Sequence, residues 1–134
     1  MKQYTLIVSA VVGAIASLSV FPVTAQSWFS IAQVDGNHAY IDVESLQRTS
    51  PNVQWWQKIE FAPGQAAKQA LYYVSANCKG SAIKIRQKIV YDQDGIILEQ
   101  ENLGDRGSVI RPTPGSLQYS LVKAACAGED GLWR

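Results

Sequence analysis

Two cysteines stand 126 − 78 = 48 residues apart in this chain, Cys78 in "YVSANCKG" and Cys126 at the end of "SLQYSLVKAAC". A link between them would close nearly half of a small domain into one loop, so whether they pair constrains the fold more than any other feature. The answer depends on compartment, because disulfides persist where the surroundings oxidise. The N-terminal stretch "MKQYTLIVSAVVGAIASLSVFPVTAQ" speaks to that. Lys2 is its one charged residue, an uncharged apolar run follows, and Pro22 precedes the small-residue pattern Val23-Thr24-Ala25. This is the pattern of a signal peptide cleaved after Ala25. The competing reading is a retained anchor. Against it, Ser9, Gly13, Ser17 and Ser19 dilute the run, and no basic residue follows to stop transfer.

An exported chain with two thiols is expected to carry one structural bridge, Cys78–Cys126. A metal centre needs further ligands that a single histidine, His38, does not supply. A redox pair is more commonly spaced Cys-x-x-Cys. Removing 25 of the 134 residues leaves 109, one domain spanning residues 26–134 with a modest core. Loop-closure entropy for a bridge of this span contributes about 4 kcal/mol, a large share of the stability open to such a domain. Without Lys2, eleven basic residues face eleven acidic ones. Zero formal charge leaves no field to steer nucleic acid or an anionic membrane surface. No cysteine precedes Cys78, so lipid attachment behind the signal is excluded. The expected location is the periplasm, the medium or the cell surface, with no membrane span after cleavage.

Strand patterns fill the rest. "SWFSIAQV" and "HAYIDV" flank the turn residues Asp35-Gly36-Asn37. In "NVQWWQKIEFA", Val53, Trp55, Ile59 and Phe61 share one face, while Gln54, Trp56, Lys58 and Glu60 share the other. "KQALYYVSANC" places Ala70, Tyr72, Val74, Ala76 and Cys78 together. "AIKIRQKIVY" alternates Ile83, Ile85, Ile89 and Tyr91 against Lys84, Arg86 and Lys88. Asp94-Gly95 signals a hairpin into "IILEQE". "ESLQRTSPN" and residues 102–115 read as connections. Ser116 is a candidate N-cap, and Tyr119, Val122 and Cys126, flanked by Leu121 and Ala125, form a helical stripe. The tail "GEDGLWR" reads as loose, with Trp133 able to fold back. The expected fold is α+β: an antiparallel sheet of about six strands, with a C-terminal helix tethered by the disulfide to one face.

"HAYIDVESLQRTSPNVQWWQKIEF", Cys78 after a strand, and "PTPGSLQYSLVKAAC" occur in an order and spacing that resembles the surface-adhesin protein E family of bacterial exported proteins. The resemblance runs from about Trp28 to Cys126. It implies a curved sheet with the helix bridged to its concave side, and an adhesin that binds host matrix and serum proteins. The chain departs from that pattern in lacking the lipid-attachment cysteine, and in carrying Ile110-Arg111 where relatives often place a tryptophan.

Catalytic chemistry is not legible. No serine stands in a Gly-x-Ser-x-Gly elbow, His38 has no partner constellation, and Asp92 and Asp94 lack the further oxygen ligands of a calcium loop. The chain is therefore read as a non-enzymatic protein without cofactor or metal. If the helix covers one sheet face, the other presents Trp56, Lys58, Tyr73, Lys84, Arg86 and Lys88, with Leu71 and Tyr40. Of these, Trp56, Tyr73, Arg86 and Lys88 are the candidate contacts for an extracellular or envelope protein, since Trp, Tyr and Arg anchor protein interfaces. Oligosaccharide stacking suits the same face. In a competing reading Trp56 packs against its own neighbours, or is buried in a homodimer, in a scaffold with no external ligand. The alternative function is a periplasmic structural or small-ligand domain that homodimerises through this face. N-terminal sequencing of the exported protein should begin at Gln26. Intact mass before and after reduction and alkylation should show both cysteines unreactive until reduced.

Overall fold

A computed structural model describes residues 27–127. The expected signal segment with its cleavage after Ala25, and the expected loose stretch "GEDGLWR" with Trp133, lie outside them. Six strands appear where alternation placed them: β1 (Trp28–Val34), β2 (Asn37–Asp42), β4 (Asn52–Glu60), β5 (Ala67–Asn77), β6 (Ile83–Asp92) and β7 (Ile97–Asn102). Two three-residue strands, β3 (Gln47–Thr49) and β8 (Ser108–Ile110), occupy stretches read from sequence as connections. All eight form one antiparallel sheet, ordered β1-β2-β4-β5-β6-β7, with β3 on β4 and β8 on β6. Three residues are too few to show a period, which is why these short strands leave no sequence signal.

Local chemistry explains the joints. Asp35 and Gly36 both take positive φ, 53° and 83°, as the tight β1–β2 turn requires. In the β6–β7 hairpin, the Asp92 carboxylate accepts from the backbone N–H groups of Asp94 (2.8 Å) and Ile96 (2.9 Å). The "YIDVES" stretch turns a corner: buried Asp42 accepts from the N–H groups of Ser27 (3.2 Å) and Glu44 (3.1 Å) and caps a 3-10 turn over Val43–Ser45. The Ser45 hydroxyl donates to the Asp42 carbonyl and accepts from the Trp56 N–H, fastening that turn to β4.

The helix α1 (Leu117–Ala125) begins as expected, with the Ser116 hydroxyl accepting from the Tyr119 N–H at 3.1 Å. It lies over β1, β2 and β4 and buries Leu121, Val122 and Ala125 against Ala39, Ile41, Val53, Trp55, Val74, Ile83 and Ile85. The Cys78–Cys126 disulfide closes at a Cα–Cα separation of 5.6 Å and joins the end of the helix to the residue after β5. Arg48 of β3 donates to the Ala127 carbonyl at 2.7 Å, putting a cation at the negative end of the helix.

A second fastening was not legible beforehand. Gln57 is fully buried in the core face, between Trp55 and Ile59 in sequence. Its Oε1 accepts from Trp55 Nε1 (2.9 Å) and Gln118 Nε2 (3.2 Å), and its Nε2 donates to Gln118 Oε1 (2.7 Å). This reciprocal amide pair locks the first turn of α1 to β4, as the disulfide locks the last.

The reading of β6 as one unbroken alternation is corrected by a bulge. Tyr73 pairs with Gln87 while Val74 pairs with Ile85, so Arg86 is the extra residue. An extra residue reverses the facing of everything after it. Ile83 and Ile85 stay under the helix. Ile89 and Tyr91 cross to the opposite face, and Lys88 moves to the helix side, paired with Tyr72. Lys88 therefore does not share a face with Trp56, Tyr73 and Arg86.

Replacing Gln57 with leucine strands the Trp55 indole N–H and the Gln118 amide. The expected loss is about 1–3 kcal/mol in urea unfolding, and Gln118→Ala should cost a similar amount because it strands the fully buried Gln57 amide. The Cys78→Ala/Cys126→Ala variant should lose about 4 kcal/mol.

Candidate functional site

The face away from α1 carries a second apolar cluster. Trp56 (7% exposed), Leu71 (8%) and Ile89 (1%) form its centre, and Trp28, Tyr73 and Tyr91 pack around them. The Trp56 and Tyr73 rings tilt against each other at 5.2 Å. Burial raises the Tyr73 and Tyr91 pKa values. Trp56 is thus a buried packing residue, as the competing reading had it, rather than an exposed contact. The half-buried rings around it form the accessible aromatic rim.

Toward β1 and β2, the Lys58 ammonium sits over two rings, 5.0 Å from Trp28 and 4.6 Å from Tyr40. It also pairs with Glu60 at 3.6 Å. The Tyr40 hydroxyl donates to Glu60 at 2.9 Å; burial first, then that carboxylate, raises its pKa. His38 stacks on Tyr40 at 4.3 Å and shares a 2.6 Å hydrogen bond with Ser30, a packing role.

Toward the other end of the sheet, a groove of about 440 Å³ opens across β4, β5 and β6. Asn52, Gln54, Ser75, Asn77, Lys84, Arg86 and Val109 contribute to its lining, which includes two cations and, among the described residues, no carboxylate. The Tyr73 hydroxyl donates to Gln54 at 2.7 Å, tying the aromatic rim to the groove. Arg86, the bulge residue, donates through Nε to the Ser75 hydroxyl (2.8 Å) and through a terminal nitrogen to the Asp105 carboxylate (2.7 Å). Lys84 Nζ donates to the Asp105 backbone carbonyl at 3.0 Å.

Asp105 belongs to a 3-10 turn, Gly104–Arg106, where the strand beside β6 changes from β7 to β8. The bulge lies at that change: the Arg86 carbonyl accepts from the Leu103 N–H, just beyond the end of β7. Gly107 follows so close to β6 that a Cβ there would overlap the Ile85 carbonyl oxygen. Lys88 lies on the opposite face and pairs with Glu99 at 3.2 Å; that hydrogen bond raises its pKa. Among the described residues, no group of three or more His, Cys, Asp or Glu could hold a metal, and no helix is long and apolar enough to cross a membrane.

The Arg86 hydrogen bond, reinforced by the charges of Arg86 and Lys84, holds the Asp105 carboxyl below its ordinary range. A lowered folded-state value stabilises the turn at and above the ordinary aspartate pKa, and that contribution is lost as pH falls below about 4. Carboxyl NMR should show Asp105 titrating below the ordinary aspartate range. Arg86→Ala should return it to the ordinary range.

The family model of Surface-adhesin protein E matches residues 28–127, every described residue but Ser27. No curated protein matches the chain. With the family match spanning the whole sheet, the helix and both bridged cysteines, the chain belongs to the surface-adhesin protein E family.

Proposed function

We propose that this protein is an exported, adhesin-like binding domain, matured by cleavage after Ala25. On this reading it presents the sheet face away from α1 to a macromolecular partner outside the cell. The family match over residues 28–127 carries the reading. The face supports it, because aromatic rings, a lysine held over two of them, and an adjoining groove with two cations are features of protein recognition surfaces. Tyr73 and Arg86 keep the contact role expected of them. Trp56 acts from beneath as the residue that sets the rings in place, and Trp28 joins the rim.

The test uses intact cells. Protease or antibody added outside should reach the domain, and the purified protein should be captured by immobilised matrix or serum glycoproteins. Trp28→Ala and Tyr73→Ala should each weaken capture by about tenfold or more while leaving the fold assembled, as expected of anchor side chains. A domain shielded until the envelope is opened, or capture unchanged in both variants, rules the reading out. Trp56→Ala is a poor probe, since emptying that site should cost about 3–5 kcal/mol of stability.

A further inference from the structure

We infer that the groove between β4 and β6 binds an acidic peptide, and that Asp105 occupies its cation pair as an internal placeholder for an aspartyl unit of that peptide. The inference rests on the reading of this face as the partner-binding surface and names the partner's chemistry. Its foundation is how Asp105 is held. Arg86 takes the side-chain carboxylate at 2.7 Å, and Lys84 takes the main-chain carbonyl of the same residue at 3.0 Å. Two cations gripping the acid and the backbone of one residue recognise a peptide aspartate. A sulfate or phosphate has oxygens for both cations, but no main-chain carbonyl held at a fixed covalent distance from its acid.

The rest of the site fits a peptide exchanging with Asp105. The Asp105 side chain is 91% exposed, and its turn contains no buried residue, so displacing it uncovers no core. Arg86 is the less exposed partner, at 24%, and its second hydrogen bond to Ser75 keeps the guanidinium in place when the carboxylate changes. Beside it, Gln54 and Asn77 supply amide groups suited to a peptide backbone. Val109, 59% exposed at the groove's edge, offers an apolar contact for a neighbouring side chain. The exposed pair with Asp105 is of the kind that contributes little in water, so an incoming acid can replace it at small cost.

The experiment is fluorescence anisotropy on the purified, oxidised protein, with labelled hexa-aspartate as probe and hexa-asparagine as control. The parent should bind hexa-aspartate, salt should weaken binding, and hexa-asparagine should not bind. Asp105→Asn removes the internal competitor and should tighten binding about two- to fivefold. Lys84→Ala should weaken binding, and Arg86→Ala should abolish it. If Arg86→Ala does not fold, Lys84→Ala and Asp105→Asn carry the test. Equal affinity of the parent and Asp105→Asn overturns the inference, as does equal binding of the control. So does a dextran sulfate that binds while hexa-aspartate does not, which would assign the cations to a polyanionic glycan. A truncation after Ala127 that tightens binding far beyond Asp105→Asn would assign the groove instead to the chain's own Glu129-Asp130. Absence of peptide binding alongside intact capture of matrix proteins removes this inference and leaves the proposed function standing.

Discussion

The structure depends on how a nine-residue helix is held to its sheet. A helix that short is marginal alone, and its stability must come from what it is fastened to. Here it is fastened at both ends by unlike means. The Gln57–Gln118 amide pair fixes the first turn by directional hydrogen bonds inside the core, and the Cys78–Cys126 bond fixes the last covalently. Between them, Leu121, Val122 and Ala125 supply the apolar contact. The amide pair sets position along the strand, because a buried glutamine has few ways to satisfy all its groups. The disulfide sets the cost of leaving.

The second organising element is one inserted residue. Arg86 breaks the alternation of β6, so that a single strand serves both faces, with Ile83 and Ile85 beneath the helix and Ile89 on the far side. Burial of Trp56 follows from this, because Ile89 and Tyr91 complete the cluster around it only after the reversal. The extra residue also sits where β7 gives way to β8, and its side chain bridges Ser75 and Asp105. One irregularity thereby builds the outer cluster, lies at the edge change and places the groove's central cation.

Much of this was legible in the sequence, and the exceptions share a cause. Six strands, the Asp35-Gly36 turn, the Asp94-Gly95 hairpin, the Ser116 cap and the helical stripe follow from periodicity or local chemistry, and the cysteine pairing from two thiols in a chain expected to be exported. Gln57 escaped because a polar residue in an apolar row reads as an interruption, and only its partner across the chain, Gln118, gives it meaning. The bulge escaped because Arg86 and Gln87 are both polar, so nothing in the pattern marks which one is extra. The face of Lys88 was misread as a direct result, and nothing in the pattern decided between a packed and an exposed Trp56. The groove escaped too, since Lys84, Arg86 and Asp105 come together only through the edge change.

The outer margin of β7, unpaired among the described residues, has a consequence for association. All six of its residues are exposed, with Ile97 and Leu98 among them, and an uncovered strand margin invites pairing with another molecule. Here Leu98 is itself an inserted residue opposite β6, and Glu99 and Glu101 follow it. An approaching strand meets a kinked margin carrying Glu101 and the Lys88-paired Glu99 rather than a flat apolar one. Two copies meeting at this margin therefore find no flat apolar edge along which to extend a shared sheet.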